Sequence, residues 1–479
     1  MVRAFLFWQT ADRGKLLDVG GRVLKVRKAC SKLTAYFFYG VTLLQTVLGI
    51  LWAVKQFRQL QHWQETAEYL QLSRSFAPDE YRALLYPAIL RVCTGLEQMA
   101  GIPDYIPVYL LQLVIAGIGA YVFLRAVLQC PKGRAVWGMT YVLSFPLLLQ
   151  FHLSVRPESL ALSGILGLTA LWWHPGEWKI RHSFGAGILS CLLIWLQPDL
   201  VWAVCFLGIT AILYRCFKKK EDLQEAWKGR SRKKAGILLL ILAISCFTGT
   251  FANRLVQTPG SGGRIQKTFW AAAFQRVVTD YFSRSYALWD EQVRTTYTIE
   301  EAMECAKRSD NMMCVVGPAL ERDWGKQQAN ASYRDMTLSC LRVRTKDVLG
   351  RISQDLLDSV FMPFSLWWQR SGTRASVTGW NYHNFRACAP ALSRFYLYLS
   401  CTALPPLCIA GVVKKRKNSR YGAGLLCFTL LVLLQTVCQV LGTGNSVDYG
   451  KLLWVICLYC ILAVCADMVN EKDATVSEL

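Results

Sequence analysis

The side chains best suited to chemistry lie close together in one polar run, residues 61–88 of a sequence that is otherwise mostly apolar. The run contains four carboxylates, Glu65, Glu68, Asp79 and Glu80, and its tyrosines and arginines include Tyr69 and Arg82. A carboxylate can act as a general base toward a hydroxyl group, or it can bind a divalent metal ion. An arginine can bind a phosphate through paired hydrogen bonds. The run therefore brings a base or metal ligand close to an anion-binding group.

The spacing of the first two carboxylates indicates that one helix presents them together. Glu65 and Glu68 are one helical turn apart, and Tyr69 is at position i+4 from Glu65. On a helix, these side chains can face one cavity. We therefore predict that Glu65 and Glu68 are catalytic carboxylates and that Tyr69 contacts substrate. If a divalent metal ion takes part, Glu65 is the predicted ligand.

The second pair of carboxylates follows a predicted helix break. Pro78 ends the first helix, and Asp79 and Glu80 come directly after it. Asp79 and Glu80 are further catalytic candidates, and Arg82 is a candidate for binding phosphate. The alternative interpretation is a solvated loop beside the membrane, because runs of charge are usually solvated surfaces. The residues that follow form an apolar stripe typical of a helix in a membrane interface: Tyr81, Leu85, Ala88 and Ile89.

The composition predicts an all-α polytopic membrane protein. Of the 479 residues, 53% are hydrophobic, and several uninterrupted apolar runs are long enough to cross a bilayer. The formal net charge is +22, but the lysines and arginines cluster at one side of the apolar runs, as the positive-inside rule predicts. The positive charge is therefore explained without nucleic acid, and membrane lipids are the expected surroundings. The basic N-terminal residues lack the apolar core and cleavage site of a removable signal peptide.

About ten transmembrane helices, with both termini in the cytoplasm, account for this pattern. Residues 1–32 form a basic cytoplasmic tail, and residues 468–479 form the C-terminal tail. Every connection rich in lysine and arginine lies on the cytoplasmic side, whereas the long connections 55–104 and 253–385 lie together on the other. The predicted spans are 33–54, 105–128, 136–153, 157–173, 183–197, 200–216, 235–252, 388–412, 421–441 and 450–467.

The segment 253–385 is predicted to be a small extracytoplasmic domain, because a loop of this length is rarely without structure of its own. The sequence leaves open whether the cysteines of this outer region form a disulfide; they are Cys305, Cys314, Cys340 and Cys388. Other cysteines are predicted to act as small apolar residues inside spans, among them Cys191, Cys205, Cys246, Cys427 and Cys460. No cysteine or histidine cluster has the spacing of a zinc site.

Other charged residues are predicted to reach the outer face from the ends of different spans. Arg156 and Glu158 follow span 3, and Lys451 begins span 10. Charges at membrane depth are costly and tend to mark functional sites, so we assign these three to substrate or phosphate binding. Each has a structural alternative, since Arg156 can pair with Glu158 across a turn and Lys451 can anchor a span. His152 and Asp199, near span ends, are more typical of structural residues.

The order of these motifs resembles that of the integral-membrane glycosyltransferases of the GT-C superfamily. The nearest branch is that of the protein O-mannosyltransferases and the lipid A aminoarabinose transferase, which have one span and then a large outer loop. Residues 65–69 (Glu-Thr-Ala-Glu-Tyr) resemble the Asp-x-x-x-Tyr motif of that loop. Residues 81–87 (Tyr-Arg-Ala-Leu-Leu-Tyr-Pro) resemble a second motif after it. Residues 156–158 and 197–199 resemble further recurrent features, so the resemblance extends over roughly residues 33–252.

The resemblance implies a GT-C-like membrane core at 33–252 with its first outer loop at 55–104, followed by C-terminal spans at 386–467. It also implies a reaction, in which a sugar moves from a polyprenyl-phosphate-linked donor to an acceptor on the extracytoplasmic face. Glu65 would be the leading base or metal ligand. Because the family motif begins with aspartate at this position, Glu68 or Asp79 can hold that role instead. The sugar, the acceptor, the need for a metal ion and the oligomeric state stay open.

Two other classes of protein fit the same composition. A transporter or flippase of a lipid-linked or anionic substrate would have broken helices at mid-membrane and charges deep inside spans. A membrane scaffold or assembly protein would not depend on the acidic run at all. The few deep charges and the first-loop motif favour the enzyme, located in a cell membrane.

Overall fold

The computed structural model of the protein describes residues 64–76, 83–102, 105–173, 180–218, 230–256, 269–278, 320–361 and 419–440, with residue 291 and part of 36–51. The described residues are mostly helical and contain no β-strand. The predicted all-α class is therefore confirmed for this part of the chain. Its helices are α1 Gln64–Ser75, α2 Leu85–Ala100, α3 Ile106–Ala126, α4 Lys132–Ser144, α5 Pro146–His152, α6 Glu158–Trp172, α7 Ile180–Leu196, α8 Val201–Lys218, α9 Arg230–Val256, α10 Phe269–Val277, α11 Lys326–Phe361 and α12 Ser419–Val440.

Helix α3 is the one described helix that is both long and apolar enough to cross a bilayer. It coincides with the predicted span 105–128. One side of the helix packs into the core through Tyr109, Ala116, Ala120 and Phe123. The other side keeps an apolar stripe, which is 38–59% exposed, at every fourth residue: Leu110, Val114, Ile118 and Val122. A helix with this surface can face lipid on one side and protein on the other.

Five other predicted spans coincide with apolar stretches that are shorter than the roughly 20 residues needed for a straight crossing. Length and apolar composition together therefore support one span within the described residues, and they do not confirm about ten. The predicted spans 388–412 and 450–467 lie outside the described residues, as do both termini. The shorter stretches are Glu158–Trp172, His182–Leu196, Val201–Tyr214, Gly236–Phe251 and Gly424–Gln435.

The predicted span 136–153 is not one helix. Helix α4 ends at Ser144, Phe145 is extended (φ −64°, ψ 125°), and α5 begins at Pro146. The cause is local, because proline has no N–H to donate and disfavours a helical conformation in the residue before it. The break ends α4 and leaves α5 as a short helix leading to His152.

The main core is built where α3 crosses α6 at close range. Gly119 of α3 lies directly against the backbone of Ser163 in α6, since a Cβ atom at this glycine would be 2.7 Å from the Ser163 carbonyl oxygen. Small residues at such crossings allow helix backbones to approach closely. Helices α2, α5, α7, α8, α9 and α12 add side chains to the same core.

Adding one methyl group at Gly119 is expected to disturb this crossing. The Gly119→Ala variant should lose about 1–3 kcal/mol of unfolding free energy, because the backbone oxygen of Ser163 must move away. The matched control is Gly95→Ala in α2, where a Cβ atom meets nothing within 4 Å. That control should be neutral or gain about 0.5–1 kcal/mol, since alanine favours a helix over glycine. Denaturant titration of both purified variants checks this, and equal stabilities would contradict the close crossing.

Helices α10 and α11 form a second, smaller core within the predicted outer segment. The rings of Phe274 and Tyr333 lie 4.9 Å apart, and the Cys340 thiol donates a hydrogen bond to the carbonyl of Val277 at 3.4 Å. Cys340 is therefore a buried free thiol and takes no part in a disulfide. The other outer cysteines lie outside the described residues. Helix α11 is kinked at Arg344 (φ −120°, ψ 29°) and also contacts α12.

Candidate functional site

Two tyrosine rings join α1 to α2. The ring of Tyr69 meets the ring of Tyr86 edge to face, with centroids 5.2 Å apart and planes at 83°. This arrangement brings the positive edge of one ring to the negative face of the other. Tyr86 is fully buried, whereas Tyr69 is half-buried at the edge of the core. The contact therefore attaches the helix that carries the first acidic motif to the main core.

The hydroxyl group of Tyr86 begins a chain of buried hydrogen bonds. It donates to Gln112 Oε1 at 3.2 Å, and Gln112 is itself fully buried in α3. Gln112 Nε2 donates to the carbonyls of His152 and Ser154 at 2.9 and 2.8 Å. These carbonyls lie at the end of α5, where no further helical turn can satisfy them. Gln112 therefore ties α2 and α3 to the turn between α5 and α6.

His152 continues this network into α6. Its Nδ1 lies 2.7 Å from the hydroxyl oxygen of Ser159, and its side chain is fully buried. Its Nε2 has no hydrogen-bond partner among the described residues, and the same holds for the buried Thr66 Oγ1 in α1. Since buried polar atoms normally have partners, both atoms are positions that favour a polar group of a ligand or a water molecule.

A buried ion pair lies beside the network, at the start of α6. Arg156 donates from NH2 to Glu158 Oε1 at 2.9 Å, and the two side chains are only 5% and 2% exposed. The guanidinium also lies over the ring of Phe151, 5.5 Å from its centroid. Glu158 is the first residue of α6, where a negative charge complements the helix dipole. The predicted alternative, a pair across a turn, is therefore confirmed.

The electrostatics connect this pair to the tyrosines. Burial raises the pKa of the Tyr86 phenol well above its usual range, and the negative charge of Glu158 raises that pKa further. The phenol is therefore protonated at neutral pH and donates its hydrogen to Gln112 Oε1. Tyr69, Tyr86, Gln112, Arg156 and Glu158 thus form one polar region inside an apolar core.

This region can position groups rather than transfer protons by itself. Its hydrogen bonds run between a phenol, an amide, two carbonyls, and an imidazole with a hydroxyl, and its two charges form one ion pair. The carboxylates able to act as a base lie on α1, next to the region. Among the described residues, no group of three or more His, Cys, Asp or Glu side chains is arranged to hold a metal ion. A metal site that includes Glu65 stays a prediction.

The predicted site residues divide into three groups. Tyr69 contacts Tyr86, and the Arg156–Glu158 pair is connected to Tyr86 through Gln112 and the carbonyl of Ser154. Glu68 is half-buried on α1, and Glu65 is the second residue of the same helix. The remaining candidates lie outside the described residues: Asp79, Glu80, Arg82 and Lys451.

The residue that holds the region together, Gln112, belongs to none of the predicted motifs. Gln112 is a single amide inside a long apolar helix, and a polar side chain in such a position is a functional signal. Tyr86 stands within the second motif but was not assigned a role. His152 was interpreted as structural, and its contact with Ser159 is consistent with that interpretation.

A shallow surface cleft of about 490 Å³ lies on another side of α1. Its lining combines two apolar side chains, Ala67 and Leu70, with the polar Gln71, Arg74 and Ser75. These residues recur at helical spacing and form a face distinct from the one that buries Thr66 and Ser73. Helix α1 therefore presents one face to the core and another to an open cleft.

No model of a known protein family matches the chain, and a search of characterised proteins gives no significant match.

Proposed function

We propose that the chain is a multi-pass membrane glycosyltransferase of the GT-C type. It moves a sugar from a polyprenyl-phosphate-linked donor to an acceptor on the extracytoplasmic face of a cell membrane. The observation that carries the proposal is the meeting of three separate motif segments. Tyr69 contacts Tyr86. Gln112 accepts the hydroxyl of Tyr86 and donates to the Ser154 carbonyl, which also accepts the N–H of Arg156 at 3.0 Å. Tyr69, Tyr86 and Arg156 come from segments 65–69, 81–87 and 156–158, which carry the resemblance to that superfamily.

The proposed reaction needs one base and one anion-binding group. Glu65 or Glu68 takes the proton of an acceptor hydroxyl, and the resulting oxygen attacks the anomeric carbon of the sugar. The bond between that carbon and the phosphate oxygen breaks, and the polyprenyl phosphate leaves with the bonding electrons. Arg82 and Lys451 are the proposed contacts of the phosphate. Arg156 is already paired with Glu158, so we assign it to holding α6 rather than to the phosphate.

The proposed topology has about ten spans and both termini in the cytoplasm. The length and exposed stripe of α3 support it, and so do the shorter apolar stretches that coincide with five further predicted spans. A span shorter than the bilayer can be accommodated by local thinning and by long side chains at its ends. Helices α1 and α2 would then lie at the outer interface, between the first two spans.

Removing the proposed base is expected to abolish sugar transfer. Glu65→Gln or Glu68→Gln should lower turnover on the order of 10²–10⁴-fold, the usual contribution of a general base. Purified protein in vesicles is given a panel of polyprenyl-phosphate sugars, and consumption of the donor is followed over time. The matched control is Glu97→Gln, since Glu97 accepts the N–H of Tyr105 through Oε1 at 3.2 Å, and glutamine can do the same.

The outcomes separate the enzyme from its alternatives. Turnover that falls in Glu65→Gln or in Glu68→Gln, but not in Glu97→Gln, supports the proposal and identifies the base. Turnover that survives in both Glu65→Gln and Glu68→Gln contradicts a base in this motif. A scaffold would show no turnover in any sample, including the unmodified chain.

A transporter of a lipid-linked or anionic substrate is the second candidate, favoured by one observation. The helix break at Phe145–Pro146 interrupts a predicted span, and broken helices are typical of transporter binding sites. The same vesicles distinguish the two functions. A transporter would move the intact donor between leaflets without cleaving it. In that case the unmodified chain and the Glu65→Gln variant would both leave the donor uncleaved.

A further inference from the structure

Two thiols of neighbouring helices lie in contact within the apolar stretches of α8 and α9. Cys205 of α8 and Cys246 of α9 have their sulfur atoms 3.6 Å apart, although they are 41 residues apart in sequence. A disulfide bond is about 2.05 Å long, so the sulfurs need to approach by about 1.5 Å. Rotation of the two side chains and a small approach of the helices can supply that distance.

The helix backbones are already close at this level. Gly208 lies one turn after Cys205, and a Cβ atom there would be 2.7 Å from Leu242 Cδ2 on α9. Leu242 in turn lies one turn before Cys246, so the glycine contact and the thiol contact are successive turns of one seam. A disulfide requires backbones near enough for a Cα separation below about 7 Å, and a glycine at a helix crossing allows such an approach.

The thiols are reachable from an apolar surface. Both are partly exposed, and both are free. Cys205 is flanked at one turn on either side by Trp202 and Ile209, which are 60% and 44% exposed. An oxidant that reaches the pair must therefore be compatible with an apolar surface, as a lipid-soluble quinone is.

We propose that Cys205 and Cys246 form a reversible disulfide that fastens α8 to α9. The two sulfur–hydrogen bonds break and one sulfur–sulfur bond forms. The two protons and two electrons pass to a quinone, which becomes a hydroquinone. The closed loop runs from residue 205 to 246 and contains the basic connection between the two helices. A thiol reductant reverses the reaction by thiol–disulfide exchange.

A third thiol on the adjacent helix provides the matched control. Cys191 of α7 is also partly exposed, but its sulfur contacts the hydroxyl oxygen of Thr248 at 3.5 Å rather than another thiol. It therefore shares the environment of the pair without belonging to it. The Cys191→Ser variant should keep the disulfide, whereas Cys205→Ser and Cys246→Ser should lose it.

The test uses the full chain in lipid nanodiscs and tetramethyl-p-benzoquinone, which has no free ring position to which a thiol could add. Remaining thiols are counted with a maleimide mass tag after denaturation, and linked peptides are identified by mass spectrometry without reduction. We expect two thiols to be lost in more than half of the chains, one linked peptide containing Cys205 and Cys246, and full recovery after reduction.

The thiol count and the linked peptide of the unmodified chain test the proposal without any variant. An unchanged thiol count, or a linked peptide that joins other cysteines, overturns the proposal in the unmodified chain. Water-soluble oxidised glutathione should react at least tenfold more slowly than the quinone. An equal or faster reaction would overturn the assignment of an apolar oxidant.

Discussion

Replacing Glu158 by glutamine is expected to destabilise the folded chain by about 3–5 kcal/mol, because Arg156 loses the charged partner of a buried ion pair. Glutamine keeps the size and one acceptor oxygen of glutamate, so the effect isolates the lost charge. Arg156 would stay in the core with its guanidinium beside the ring of Phe151, where water cannot solvate it. Denaturant titration in detergent micelles measures the unfolding free energy.

An exposed ion pair with the same nitrogen–oxygen distance is the control for Glu158→Gln. Arg334 and Asp335 of α11 also have a nitrogen–oxygen distance of 2.9 Å, but their side chains are 50% and 63% exposed. Their attraction is screened by water, so Asp335→Asn should cause no measurable loss. If Glu158→Gln is no more harmful than Asp335→Asn, the pair at the start of α6 is not buried as described.

Removing both charges should restore much of the stability. A variant with Arg156→Met and Glu158→Leu replaces the pair by apolar groups, and such replacements of buried pairs are often neutral. The double variant should therefore be more stable than Glu158→Gln alone. A double variant that is less stable than the single one would mean that the pair holds the turn through its geometry, as well as through charge.

Features that depend on residues close together in the sequence could be predicted from it. The Arg156–Glu158 pair involves residues two apart, and a turn between two helices leaves few other partners. The limits of α3 follow from one uninterrupted apolar run. The break at Pro146 was equally local, but the average hydropathy of the segment 136–153 concealed it, because an average gives no weight to the missing N–H of one proline.

The network around Gln112 could not be predicted in the same way. Its partners are 26, 40 and 42 residues away in the chain. Helix α3 is apolar on nearly every side, so periodicity does not indicate which face meets α6 and which faces outward. The face is set by packing, through the close approach of Gly119 to Ser163 and through the side chains that fill the space around it.

Replacing Gln112 by leucine is expected to cost about 2–5 kcal/mol, since each of the three hydrogen bonds lost contributes about 0.6–1.7 kcal/mol between helices in a membrane protein. The Tyr86 hydroxyl loses its acceptor, and the carbonyls of His152 and Ser154 lose the bonds from Gln112, although the Ser154 carbonyl keeps the N–H of Arg156 at 3.0 Å. The control is Gln98→Leu in α2, whose side chain is exposed and should tolerate the same change. Unfolding titrations of both variants measure the difference.

A double-mutant cycle with Tyr86→Phe shows whether Gln112 acts through the tyrosine. Without the phenol, one of the three bonds is already absent, so Gln112→Leu should cost about 0.6–1.7 kcal/mol less in that background. Additive losses would mean that Gln112 acts only on the turn after α5. Because Tyr86 also holds Tyr69, coupling between Gln112 and Tyr86 would connect the turn before α6 to the helix that carries Glu65 and Glu68. A loss of sugar transfer in Gln112→Leu, under conditions where the variant is still folded, would then place this connection in the proposed reaction.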